Sequence, residues 1–156
     1  MSAETSLLEV RALAKHYPLR GGVLGQRAGV FKAVDEVSFS VPRGRTLGLV
    51  GESGSGKTTI GKCALRLVEP TAGQILFDGE DITHITGHAL RKRRADMQMI
   101  YQAPAASLNG RMTIGEIIGE PLWLHERLQG GQRRKRVMEL LEVVGLKAEH
   151  YYRFPH

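Results

Sequence analysis

The sequence predicts an α/β fold, and three observations carry that prediction. An apolar run, Leu47-Gly48-Leu49-Val50, leads into the glycine-rich segment Gly51-Glu52-Ser53-Gly54-Ser55-Gly56-Lys57-Thr58-Thr59, and a helix-forming stretch over 58–68 follows. Upstream, apolar residues alternate with polar ones at the period of a half-buried strand. Downstream, Val137, Leu140, Leu141 and Val144 recur at helical spacing. A buried strand, the pattern GxxxxGK[ST] and a helix, in that order, form a phosphate-binding P-loop in its proper setting.

The elements follow in order. Leu8, Val10 and Ala12 alternate with charged residues and read as a first strand, and residues 20–29 read as a glycine-rich loop. Val37, Phe39 and Val41 share one face of a second strand. Pro42-Arg43-Gly44-Arg45 turns the chain into a buried strand over 46–50, so a hairpin-like pair precedes the P-loop. Residues 69–73 break the chain, and Gln74-Ile75-Leu76-Phe77 is a short strand ending in the turn signal Asp78-Gly79. Residues 87–94 suit a short basic helix, and 97–101 suit another strand, which delivers Gln102 to a loop. Thr113 and Glu116 have the spacing of a capping box, so a helix starts there and runs toward His125, with Pro121 inside it. Gly130-Gly131 is read as its end. Gly145 is placed to cap the last amphipathic helix.

Each P-loop residue type has a physical task. Small glycines let the backbone curl so that several N–H groups point inward at phosphate oxygens, and the helix N-terminus adds its positive dipole end. Lys57 supplies a full charge for the β- and γ-phosphates. The Thr58 hydroxyl is the expected Mg²⁺ ligand, and Thr59 can donate to the α-phosphate region. The competing reading is a Gly/Ser-rich connector, which the strand–loop–helix context disfavours.

Composition sets the frame. With 42% hydrophobic and 24% charged residues, the 156-residue chain has the makeup of a globular domain. No apolar run approaches the ~18 residues of a membrane span, and the first ten residues do not form a secretory signal. The single cysteine, Cys63, excludes an internal disulfide and reads as a packing residue. The net charge of +6 concentrates in Arg91-Lys92-Arg93-Arg94 and Arg133-Arg134-Lys135-Arg136. Neither cluster has interleaved aromatics, so both read as solvated helix faces rather than a nucleic-acid surface.

With these motifs quoted, the chain resembles the ATP-binding subunit of ABC transporters, and more narrowly that of oligopeptide and dipeptide importers. The resemblance runs over essentially the whole chain, and the phrase over 41–59 is close to that subfamily. Lys15-His16-Tyr17 resembles the A-loop, whose aromatic ring stacks on adenine. Gln102 resembles the Q-loop glutamine, which joins the Mg²⁺ shell and lies in a loop that contacts the membrane subunit. Ala106-Ser107-Leu108-Asn109, followed by Arg111-Met112-Thr113, resembles that subfamily's loop extension. Ala103-Pro104 and Asn109-Gly110 stand where the subfamily has Asp-Pro and Asn-Pro, which weakens the fit to a membrane partner.

The resemblance implies a P-loop NTPase core with an antiparallel β subdomain over residues 1–112 and the start of a helical subdomain over 113–156. It implies ATP and Mg²⁺ as cofactors. The implied partners are transmembrane permease subunits, a second ATP-binding subunit and, indirectly, a solute-binding protein, at the cytoplasmic face of the cell membrane, with no nucleic acid. The family's signature resembling LSGGQ, its apolar strand ending in Asp-Glu and its switch histidine do not occur in these 156 residues. No catalytic residue is therefore assigned. Residues 151–156 resemble those just before the signature, so the expectation is an incomplete domain, poorly stable and with little turnover by itself. Asp78 and Glu142 are weighed as stand-ins for the magnesium aspartate. Asp78 lies in a turn signal and Glu142 in a helical period, which argues against both. The rival functions are a soluble kinase using Asp78, a binding-only module and a DNA-associated ATPase.

Overall fold

The computed structural model describes residues 6–20 and 27–156. The chain forms two compact units, Met1–Met97 and Gln98–His156. Among the described residues, no helix is long and apolar enough to cross a membrane.

The first unit is a four-stranded antiparallel sheet with one helix on its core face. Strands β1 (Ser6–Arg20), β2 (Arg27–Pro42), β3 (Ala72–Phe77) and β4 (Glu80–Asp81) lie in the order β2-β1-β3-β4. The hairpin ahead of the P-loop is thus β1–β2, rather than β2 with residues 46–50. Most of the expected glycine-rich loop, residues 21–26, lies outside the described residues.

Apolar alternation along β1–β2 is interrupted by bulges that the pattern alone does not show. Val10 pairs with Phe39 and Leu13 with Val37, so β1 carries an extra residue between these pairs. Ala12, at φ 45°, lies within this irregularity and its N–H donates to Ser38 Oγ at 2.8 Å. Ala12, which shares an alternating pattern with Leu8 and Val10 in the sequence, is therefore exposed, while Leu13 and Ala14 are buried. β3 crosses this bulge closely: a Cβ on Gly73 would lie 2.5 Å from Ala12 O, so only glycine fits.

Helix α1 (Lys57–Ala64) packs Ile60, Cys63 and Ala64 against Val10, Leu13, Val34, Ile75 and Ile82. Burial pushes the Cys63 thiol pKa up, as expected of a packing residue. The helix stops short of the expected residue 68 because Arg66 takes the left-handed conformation, φ 54°. Its buried guanidinium donates to Ile82 O at 2.9 Å and Ile85 O at 3.3 Å. Asp78-Gly79 forms the expected turn with both residues at positive φ, and Asp78 is ion-paired with Arg43. This antiparallel hairpin does not make Asp78 the end of a central parallel strand.

The expected strands over 46–50 and 97–101 do not form. Val50 is 96% exposed and Ile100 82%. A parallel-sheet strand is held by neighbours on both sides, and no described strand pairs with either segment. Residues 43–44 do make the expected turn, with Arg45 N–H donating to Pro42 O at 3.1 Å.

Helix α2 (Gly87–Arg94) forms where expected. Its basic run is partly engaged, with Arg93 paired to Glu80 and Arg94 donating to Arg66 O.

The second unit contains the short helix α3 (Pro104–Ser107), α4 (Ile114–Glu126), α5 (Gly130–Val143) and a 3-10 turn (Ala148–Tyr152). The capping box of α4 is complete: Glu116 N–H donates to Thr113 Oγ1, and Thr113 N–H donates to Glu116 Oε2 at 2.7 Å. Pro121 is accommodated inside α4. The helix ends at Arg127, which adopts φ 57°, and not at Gly130-Gly131, which instead open α5. Val137 and Leu141 are buried against Leu122, but Val144 is 67% exposed because it lies at the helix cap. Gly145, at φ 74°, closes α5: its N–H donates to Glu142 O and that of Leu146 donates to Leu141 O, both at 2.9 Å. Arg134 lies over the Tyr151 and Tyr152 rings, and Arg136 pairs with Glu139.

Candidate functional site

The loop from Gly51 to Gly56 curls between residues 46–50 and α1. Ser55 N–H donates to Glu52 O at 3.2 Å, and Gly54 and Gly56 take φ of 83° and 89°. Gly56 also makes a close approach that excludes any side chain, since a Cβ there would sit 2.3 Å from Ala33 O on β2. The loop is thereby seated on the β1–β2 pair.

Lys57 turns back across the loop. Its Nζ donates to Gly51 O at 2.7 Å, to Glu52 O and to Ser55 Oγ at 3.2 Å. The ammonium is held against the loop's own carbonyls, close to the backbone that curls round it.

The N-terminus of α1 suits an anion. The first bond of its ladder runs from Ile60 N–H to Gly56 O, so the N–H groups of Lys57, Thr58 and Thr59 precede it. No side chain caps this end and no acidic residue occupies its first turn, whereas α4 carries a full capping box with Glu116. Backbone donors, a left-handed glycine turn and one lysine are a donor set matched to polyphosphate oxygens. Thr58 is exposed and Thr59 half-buried, so the hydroxyl proposed for a cation is accessible.

Tyr17 lies on β1, 38% exposed, directly across from Phe31 on β2, with Lys15 Nζ 5.0 Å from its ring centroid. It shares the β1–β2 pair with Ala33, on which the loop rests. Gln102 belongs to the second unit, exposed in a bend before α3. There, Asn109 Oδ1 accepts from Arg111 N–H at 3.0 Å and Met112 N–H donates to Asn109 O at 3.0 Å, making a turn in the loop extension.

A trough of about 640 Å³ also runs along α1, lined by Leu8, Phe39, Val41, Leu47, Leu49 and Ile60 among others. Its walls are mainly apolar and only its edge, at Lys57 and Thr58, touches the loop, so it lacks the loop's set of polar donors. Sequence reading missed Ala33, whose carbonyl meets the loop at Gly56. It belongs to no motif, and only the folding of the strand pair brings it under the loop.

A curled glycine loop with a lysine across it, seated between an antiparallel strand pair and the uncapped start of a helix, defines a nucleotide-phosphate-binding cassette. The family described as ABC transporter matches residues 34–155, and the chain belongs to that family.

Over 154 residues the chain is 46% identical to the oligopeptide transport ATP-binding protein AppF of Bacillus subtilis (strain 168), covering 98% of this chain and 47% of that protein. It is 47% identical over 150 residues to the glutathione import ATP-binding protein GsiA of Salmonella paratyphi A, covering 96% of this chain and 24% of that protein. The chain thus spans about half the length of AppF and less of GsiA. Among solved structures it matches the dimeric structure of a bacterial ABC transporter cassette with a TM-score of 0.77 at 25% identity, over 95% of this chain and 61% of that one. The same score, at 24% identity and with the same coverage, relates its fold to a cassette in a post-hydrolysis state bound to ADP and Pi.

Proposed function

We propose that this chain is the nucleotide-holding part of the ATP-binding subunit of an importer for peptides or related solutes. The loop geometry carries the reading: Gly56 is locked against β2, Lys57 lies across the loop, and the start of α1 has neither side-chain cap nor acidic neighbour. The names of the relatives support the solute class.

In this reading the backbone N–H groups of 54–59 bind and orient the phosphates, and Lys57 leaves its carbonyl partners to neutralise the β- and γ-oxygens. Tyr17 stacks on the base. Thr58 and Gln102 would hold Mg²⁺, which when bound neutralises developing charge on the phosphates. Residues 1–112 form the β subdomain and P-loop core, and residues 113–156 begin the helical subdomain. Hydrolysis driving transport, a second ATP-binding subunit, permease subunits met through the loop after Gln102, and a peripheral place at the cytoplasmic membrane face complete the proposal. The solute-binding protein acts indirectly, and nucleic acid has no part. The kinase alternative loses its aspartate, since Asp78 lies in a hairpin turn and is paired with Arg43.

The test is a titration of Mg-ATP into the full chain and its Lys57→Ala variant. Charge-assisted hydrogen bonds contribute roughly 1.5–3 kcal/mol each, so losing one or two predicts a weakening of about 100-fold. Equal affinity in the two proteins would refute the site.

A further inference from the structure

We infer that Phe31 is a second base-binding residue, forming with Tyr17 a two-ring platform for a nucleotide's planar base. The inference rests on the nucleotide-binding reading above and adds to it a residue that no motif identifies.

The register of β1–β2 brings the two rings together. Cross-strand partners in an antiparallel pair place their side chains on the same face. Following β1–β2 outward from the core, the pairs on the α1 face are Leu13 with Val37, Lys15 with Val34, and Tyr17 with Phe31. Val34 and Phe31 are three residues apart in β2 and would face opposite ways in a regular strand. They share a face because β2 carries one extra residue, Ala33, between the pairs Lys15–Val34 and His16–Lys32.

That face is the one the P-loop occupies. A Cβ on Gly56 would lie 2.3 Å from Ala33 O and 3.7 Å from Val34 Cγ2. Phe31 is two residues further along β2, about 7 Å at strand rise. The bulge thus both receives the loop and turns Phe31 onto the loop's side of the sheet.

The two rings are also accessible. Tyr17 is 38% exposed and Phe31 52%, whereas Val34 on the same face is buried. Lys15 Nζ, anchored at 2.8 Å on Glu69 O, sits over the Tyr17 ring and helps to fix it. An exposed cross-strand aromatic pair beside a phosphate loop has the chemistry to stack on a heteroaromatic base, a contact tolerant of base identity. Hairpin stability alone is the competing role for Phe31.

The experiment compares ATP with inorganic tripolyphosphate, each with Mg²⁺, on the full chain and on its Phe31→Ala, Phe31→Trp and Lys57→Ala variants. Stacking energies of this kind predict that Phe31→Ala weakens ATP about 10-fold, leaves tripolyphosphate unchanged, and that Phe31→Trp restores ATP affinity. Lys57→Ala should weaken both ligands. If Phe31→Ala leaves ATP affinity intact, or weakens both ligands equally, the platform is overturned while the phosphate site stands. If neither ligand binds the parent chain, the nucleotide reading fails first and the platform falls with it.

Discussion

Adding one methyl group at Gly56 should do more damage than adding one at Gly54, although both glycines occupy left-handed backbone. At φ of 89° and 83° each substitution to alanine carries strain of ~1–2 kcal/mol. Around Gly54 a new Cβ meets nothing within 4 Å, so strain is its whole effect. At Gly56 the Cβ would lie 2.3 Å from Ala33 O and 3.5 Å from Ala33 C, and ordinary contact begins at 3.4 Å. Both neighbours are backbone atoms of a paired strand and cannot swing aside, so loop and strand must part by about 1 Å. Overpacking of this kind adds ~1–3 kcal/mol, giving ~2–5 kcal/mol for Gly56→Ala against ~1–2 for Gly54→Ala. Urea unfolding of both variants without nucleotide, followed by circular dichroism, reads the difference directly. Equal losses, or a larger loss at Gly54, would show that the loop does not rest on β2.

Two further outcomes follow from buried and hydrogen-bonded groups. Arg66→Gly relieves the backbone strain at φ 54° but removes the donors to Ile82 O and Ile85 O, so a net destabilisation of roughly 1–3 kcal/mol is expected in the same urea assay; a stabilised variant would refute the bridging role. Asp81 accepts from Gln74 Nε2 at 2.7 Å and Thr83 N–H at 2.8 Å, which lowers its pKa from an ordinary 3.8 to about 2. Because the folded value is the lower one, this group's contribution is fully present above the unfolded pKa and is lost as pH falls through 3.8 toward about 2. Asp81→Asn should therefore flatten the acid limb of the stability curve in that window, and an unchanged limb would count against the assignment.

Where a signal is local, the sequence reading and the structure agree. The capping box at Thr113 and Glu116, the basic helix over 87–94, the Asp78-Gly79 turn and the Gly145 cap each depend on residues a few positions apart, and each forms. The P-loop is legible for the same reason. Non-local features were not. Periodicity assigns strands to 46–50 and 97–101, but a ladder also needs a partner, and no described strand supplies one. The length of α1 is decided by Arg66 reaching carbonyls sixteen and nineteen residues away. The faces of β1 and β2 are decided by bulges, and no composition rule places these. Hence alternation groups Ala12 with Leu8 and Val10 although the structure exposes it, and no motif marks Phe31.

The bulges make the identity of each face a matter of parity. Without Ala33, Val34 and Phe31 would stand two residues apart and still share a face, whereas a strand straightened with Ala33 retained would bring Lys32 opposite Tyr17 in place of Phe31. The lysine would then stand beside the nucleotide loop. Substitution at Phe31 changes one ring, whereas a slip of one in register exchanges an aromatic surface for a charged one. The register of this strand pair accordingly decides more about the surface beside the loop than any single replacement along it.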